Sequence, residues 1–145
     1  MNLFQAMEVA SSGLAAQRVR MNALASNLAN ARTTRTAEGG PYKRLDPVFQ
    51  AVPVSTRFQD LVGQPAARAA YMVQVQSVQQ DNSPPQMMFD PDHPDADDNG
   101  YVALPNVNVV EEMVNLITAS RSYEAGVTVI QSLKGMARSA LSIGA

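Results

Sequence analysis

The sequence predicts a mainly α protein with a small β element. Long N- and C-terminal helices pack as a coiled coil, and a short, irregular, β-rich segment joins them. Three observations predict this. Apolar residues recur at alternating three- and four-residue steps near both ends of the chain. All nine prolines lie between those two stretches. Each periodic stretch is also too long to sit inside a compact globule of this chain length. The boundaries expected are 1–32 for the first helix, 33–106 for the middle segment and 107–145 for the last helix.

The N-terminal seam runs through Leu3, Met7, Ala10, Leu14, Gln17, Met21, Leu24, Leu28 and Ala31. Only Gln17 is polar. Asn2 with Gln5 three residues on reads as an N-cap and its partner. No proline interrupts the stretch, and Gly13 costs about 1 kcal/mol relative to alanine.

The middle segment carries short apolar runs at Val48–Pro53, Tyr71–Gln79, Gln86–Asp90 and Tyr101–Leu104, which read as strands. Tyr71, Val73 and Val75 share one face. Val78 breaks that alternation, which points to a bulge. Turns are marked by Gly39-Gly40-Pro41, Ser83-Pro84-Pro85 and Asp97–Gly100.

The C-terminal seam runs through Val109, Met113, Leu116, Ser120, Tyr123, Val127, Ile130, Lys134, Ala137 and Leu141. Asn108 followed by Glu111 reads as a capping box. Glu111 and Glu112 suit the positive end of a helix. Lys134 and Arg138 suit its negative end, and Gly144 closes it. Helices over 2–31 and 108–143 would be about 45 and 54 Å long. A compact chain of this size has a diameter of roughly 40 Å. The two ends are therefore expected to pack together as an elongated rod, the alternative being a break at Gly13 or Gly126.

Charge is scarce. Only 17% of the 145 residues are charged, 11 basic and 13 acidic, for a net charge of −2. Either the surface relies on neutral polar side chains, or other subunits cover much of it. The deficit is concentrated. Residues 2–31 hold only Glu8, Arg18 and Arg20, and their flanks are small: Ser11, Ser12, Ala15, Ala16, Asn22, Ala23, Ala25, Ser26 and Asn27. A helix face built this way suits close contact with further helices rather than water. The isolated chain is expected to keep its ends poorly ordered and to fold them on assembly.

Composition removes several function classes. There is no cysteine, hence no disulfide, thiolate metal site or thiol nucleophile. One histidine excludes a multi-histidine metal site. The longest charge-free stretches, Ala69–Gln80 and Asn99–Val110, have 12 residues each, against about 20 for a spanning helix. The N-terminus lacks the basic leader and continuous apolar run of a secretory signal.

The densest constellation is Asp90–Gly100, with five aspartates and His93. Asp95, Asp97, Asn99 and Gly100 match the first half of a calcium-binding EF-hand loop. The twelfth position is Asn106 where a glutamate is needed, and Pro94 and Pro105 deny the flanking helices. The segment reads instead as an acidic turn in which aspartate side chains cap backbone amides. His93 beside Asp92 has no nucleophile elbow to serve. Arg32, Arg35, Lys43 and Arg44 with Tyr42 form a mild basic cluster, better suited to acidic neighbours than to RNA.

Three blocks carry a resemblance. The run SGLAAQRVRMNALASNLANARTTRTAEGGPYKR (12–44) resembles the N-terminal signature of bacterial flagellar rod and hook proteins. FDPDHPDADDNGYVALPNVN (89–108) is similar to a motif of the proximal-rod members. EEMVNLITASRSYEAGVTVIQSLKGM (111–136) resembles their last helix. The resemblance implies a non-enzymatic structural subunit of the basal-body rod, without cofactor, metal, nucleic acid or small-molecule substrate. It implies terminal helices packed near the axis of a helical tube, and export through the flagellar type III apparatus without a cleaved signal. It implies other rod subunits, copies of the chain itself, and rod-base and MS-ring proteins as partners.

Asn27, Ala29, Asn30 and Thr33–Thr34 match the motif that ends the first helix. Pro105, Asn106, Val107 and Glu112–Met113 match the start of the last, and Arg121, Tyr123 and Glu124 its middle. Gly126 departs from the pattern, which has asparagine there, and is expected to soften the helix. The expected assembly residues are Leu3, Met7, Leu14, Met21, Leu24, Asn27, Leu28 and Asn30 in the first third. In the last third they are Asn106, Val109, Met113, Leu116, Tyr123, Val127, Ile130 and Leu141. The readings kept beside this one are another flagellar axial subunit and a calcium- or peptide-binding adaptor centred on 90–100.

Overall fold

The computed structural model describes residues 3–54 and 70–143. Two long helices, α1 (Leu3–Ala29) and α2 (Val109–Ile143), pack against each other. Between them in sequence lie β1 (Leu45–Pro53), β2 (Tyr71–Gln80), β3 (Gln86–Phe89) and β4 (Tyr101–Leu104). Both helices run unbroken through Gly13 and Gly126. The caps expected at Asn2 and Gly144 lie outside the described residues. Half of the capping box expected at α2 forms: Asn108 Oδ1 accepts from the backbone N–H groups of Val110 at 3.1 Å and Glu111 at 3.4 Å, while the return bond to the Glu111 carboxylate is not made among the described residues.

β1 and β2 form an antiparallel ribbon, from Leu45 opposite Gln80 to Pro53 opposite Tyr71. The register shifts between Val48 and Phe49, which face Ser77 and Val75, so Gln76 is the extra residue. This bulge explains the broken alternation. It returns Val78 to the side shared by Tyr71, Val73 and Val75. β3 and β4 form a second antiparallel pair, from Gln86 opposite Leu104 to Phe89 opposite Tyr101. The rings of Phe89 and Tyr101 meet edge to face with centroids 5.3 Å apart.

α1 is the central element. α2 packs along one side of it and the β1–β2 ribbon packs along another, while α2 contacts no strand among the described residues. The Ser12 hydroxyl donates to Val9 O and accepts the Val73 N–H at 3.1 Å, tying the edge of β2 to α1.

The α1–α2 contact is rotated by one residue from the C-terminal seam read in the sequence. The shielded side of α2 follows Glu112, Leu116, Ala119, Tyr123, Gly126, Ile130, Leu133 and Ala137. One row of the expected seam, Leu116, Tyr123, Ile130 and Ala137, is retained. The other is displaced: Val109, Met113, Lys134 and Leu141 are exposed, and Ser120 and Val127 sit at the edge. The reason is size. A Cβ on Gly126 would stand 2.7 Å from Leu14 Cδ2, so the helices approach until a leucine methyl fills the space of the missing side chain. Gly126 is thus a contact residue, and an asparagine there would require Leu14 to move.

The hydrophobic core is thin. Among the described residues the buried apolar side chains are Ala16, Ala23, Leu24, Val102, Val107 and Ala119, and three of those six are alanine. The largest fully buried side chains are Glu112, Val102 and Asn27, two of them polar.

Candidate functional site

Those two buried polar groups form a latch where α1 ends, β1 begins and α2 starts. Asn27 is 0% exposed and uses its whole hydrogen-bonding capacity. Its Nδ2 donates to Leu45 O at 2.9 Å and to Glu112 Oε2 at 3.0 Å. Its Oδ1 accepts the Leu45 N–H at 2.8 Å and the Tyr42 hydroxyl at 3.0 Å. The amide therefore takes both free backbone groups of Leu45, as a neighbouring strand would. Tyr42 has spent its one proton on Asn27, so the Ser26 hydroxyl donates to Tyr42 Oη at 3.1 Å.

Glu112, 1% exposed, completes the latch: its Oε1 accepts from Arg44 Nε at 2.7 Å. Arg44 also lies 3.9 Å from Asp46. The hydrogen bond to Glu112 holds the Arg44 guanidinium above its ordinary range, outweighing a desolvation that lowers it. A raised value contributes stability that is fully present below the ordinary arginine range and is lost only as pH climbs through the folded value, so the cation persists throughout the neutral range. Of the two glutamates that begin α2, one lies exposed in the first turn and the other closes the fold.

Below the latch, the acidic turn is fastened to the segment after α1. Asp95 accepts from the Thr34 hydroxyl at 2.8 Å and pairs with Arg35 at 2.9 Å. Asp97 Oδ1 accepts the N–H groups of Asn99 and Tyr101, and Asp95 N donates to His93 Nδ1. Gly100 takes φ +79°, and a Cβ there would stand 3.0 Å from Phe89 Cε2. These groups are occupied in shaping the turn, as the sequence reading held. Asn30 closes α1 similarly, its Nδ2 donating to Ser26 O and its Oδ1 accepting from Thr33. Ser83 donates from its hydroxyl and its N–H to Asp81, holding that carboxyl below its ordinary range.

The remaining feature is what α2 leaves open. Its side away from α1 carries Val110, Met113, Val114 and Ile117, 70, 48, 58 and 53% exposed. An open groove of about 410 Å³ continues from it between Leu116, Ile117, Ser120, Arg121 and Glu124. Phe4 is 80% exposed on α1, in line with Glu8, Ser11, Ala15, Arg18, Asn22, Ala25 and Ala29.

The expected assembly residues separate into three groups. Leu24 and Asn27 are buried within the chain. Leu3, Met7, Leu14, Met21, Leu28, Asn30, Asn106, Leu116, Tyr123, Val127 and Ile130 are half-buried. Val109, Met113 and Leu141 are exposed. Sequence reasoning missed Phe4, Val110, Val114 and Ile117, apolar residues off the seam, and it missed the partnership of Tyr42, Arg44 and Glu112 with Asn27. A charged residue between apolar positions, as Glu112 is, was the available signal.

The comparisons fit this arrangement. The family described as "Flagella basal body rod protein" matches residues 7–35, and "Flagellar basal body rod FlgEFG protein C-terminal" matches residues 98–143. The flagellar basal-body rod protein FlgC of Borreliella burgdorferi is 44% identical over 156 residues, covering 99% of this chain and 98% of that protein. The chain belongs to the FlgC family of flagellar basal-body rod proteins. The FlgC proteins of Salmonella typhimurium and Bacillus subtilis are each 40% identical, with 99% of both chains covered in each case. The FlgC family is structural rather than enzymatic, and its place is the basal-body rod. The two family matches fall on α1 and on β4 with α2, and so take in both helices that the latch joins.

Proposed function

We propose that this chain is a repeated structural element of the proximal rod, that its terminal helices carry the contacts between subunits, and that residues 33–106 form a Pro-rich middle segment with short strands between them. In this reading the helices line a tube that transmits torque and walls the export channel. The chain reaches the rod, which spans the periplasm, through the type III apparatus without a cleaved signal. Its neighbours are copies of itself, other rod subunits, and rod-base and MS-ring proteins.

One observation carries the reading. α2 is satisfied on one side by α1, yet it keeps Val110, Met113, Val114 and Ile117 open on the other. A contiguous apolar row of this kind marks an interaction site. The thin core points the same way, since a chain with so few buried apolar groups gains much of its stability from neighbours. A contact between unlike faces, repeated by a rotation that does not close, generates a helical tube.

The test is complementation of a strain whose own copy is deleted. The natural chain should restore basal bodies and swimming. Val114→Glu with Ile117→Glu should leave the isolated fold intact, since both side chains are already more than half exposed, but should abolish rod assembly. Normal swimming with the double variant would overturn the assignment of this face.

A further inference from the structure

Among the described residues the β3–β4 pair makes no close backbone contact with a helix or with the β1–β2 ribbon. β4 is anchored by the buried Val102, but the other side of the pair lies open, with Phe89 63% exposed and Met87 and Tyr101 also exposed. Met87 and Phe89 point to the same side of β3. Beside them the acidic turn keeps Asp92 and Asp98 exposed and, among the described residues, without an ion pair, Arg35 being spent on Asp95.

A matching surface lies at the opposite end of the chain. Leu14 opposite Gly126 and Asn27 opposite Glu112 set an antiparallel register that brings Leu3 level with residues 136–137. α2 runs on past that point to Ile143. Lys134, Arg138 and Leu141, at i, i+4 and i+7, share one face of it. All three are exposed, Leu141 76% so, and neither cation has an ion pair among the described residues. This is the stretch where the sequence seam carries a lysine in place of an apolar residue. Among the described residues that lysine has no acidic partner.

The two surfaces are complementary in both respects. One is apolar and acidic, the other apolar and basic. The whole chain leans in the same sense: residues 30–108 hold six basic and nine acidic residues, and α1 and α2 together hold five basic and four acidic. Resting on the rod-subunit reading, we propose that the open side of the β3–β4 pair of one copy docks on the protruding end of α2 in a second copy. Phe89 and Met87 meet Leu141, and Asp92 and Asp98 meet Lys134 and Arg138. The contact joins unlike faces, so it propagates from copy to copy instead of closing a pair. Its charges steer approach and fix direction more than they add affinity.

The absence of cysteine permits a direct test. Phe89→Cys and Leu141→Cys are placed together in the full chain, which is expressed in place of the natural copy. Isolated basal bodies are then treated with a short bismaleimide. The expected result is bands at multiples of the 15.6 kDa chain with the double variant, and a single chain with either cysteine alone. Adding Lys134→Glu and Arg138→Glu should remove the multiples, and adding Asp92→Lys and Asp98→Lys to those should restore them. Should the first cysteine pair not enter basal bodies, Met87→Cys with Leu141→Cys gives the same readout.

Basal bodies that contain the chain but yield no multiples would overturn the proposal, as would multiples from a single cysteine. A product joined to a different protein would also overturn it, because the occupant would then not be a second copy. Absence of the natural chain from basal bodies would instead overturn the rod reading, and the proposal with it.

Discussion

Asn27→Ala is expected to cost about 3–5 kcal/mol, a large part of the 5–15 kcal/mol that holds a typical domain. The substitution removes four hydrogen bonds at a position with no access to water. It leaves the N–H and C=O of Leu45 and one oxygen of Glu112 without their partner. Each buried polar group so stranded costs about 1–3 kcal/mol. The core cannot compensate, because the apolar residues around the latch are few and small. Urea unfolding followed by circular dichroism would measure the loss as a lowered midpoint. Asn22→Ala, five residues earlier on the exposed stripe of α1, should change stability by less than about 0.5 kcal/mol. Equal midpoints for the two variants would show that the latch contributes nothing.

Glu112→Leu should be nearly as damaging, at about 3 kcal/mol. It leaves the Arg44 guanidinium in a three-quarters-buried position without its main partner, and Asn27 Nδ2 with one bond fewer. Arg44→Met should cost a comparable amount, by leaving a buried carboxylate held only by Asn27. The informative measurement is the double variant. Replacing both charges with apolar groups removes the uncompensated ion, so the double substitution should cost clearly less than the two single losses combined, by about 2 kcal/mol. Simple additivity would mean that the two residues stabilise the chain independently and that the 2.7 Å contact is incidental.

Both variants bear on function through geometry. Asn27 sits on α1, Tyr42 and Arg44 on the loop before β1, and Glu112 on the first turn of α2. The latch therefore fixes the angle at which ribbon and helices leave one point. A subunit that passes load to its neighbours needs that angle held, and a satisfied polar network holds it more specifically than a patch of leucines.

The sequence disclosed the large elements well because each has a local cause. The periodic runs, the Asn108 cap, the prolines between the helices and the positive-φ glycines in the turns act over a few residues. Four strands were legible for the same reason, and Val78 betrayed the bulge. What lay hidden depended on contacts far apart along the chain. Asn27 and Glu112 are 85 residues apart, and no spacing rule links an asparagine on one helix to a glutamate on another.

The C-terminal seam failed for a different reason. Its reading turned the larger side chains, Met113 and Val127 among them, toward α1. The helices instead approach through Ala119 and Gly126, which lets Leu14 in and turns the larger residues outward. Close packing through small residues reverses the usual sense of an apolar stripe, and only the low charge of the helices hinted that the outer side was meant to be covered.

That covering is the central claim, and one measurement addresses it directly. Ile117→Cys introduces a lone thiol on the outer side of α2 in a chain that otherwise has none. Its rate of reaction with a maleimide can be compared between the purified chain and intact basal bodies. The free chain should react quickly, since this position is 53% exposed. The assembled rod should protect the same thiol strongly. Equal rates in the two states would contradict the claim that neighbouring subunits cover the outer face of α2.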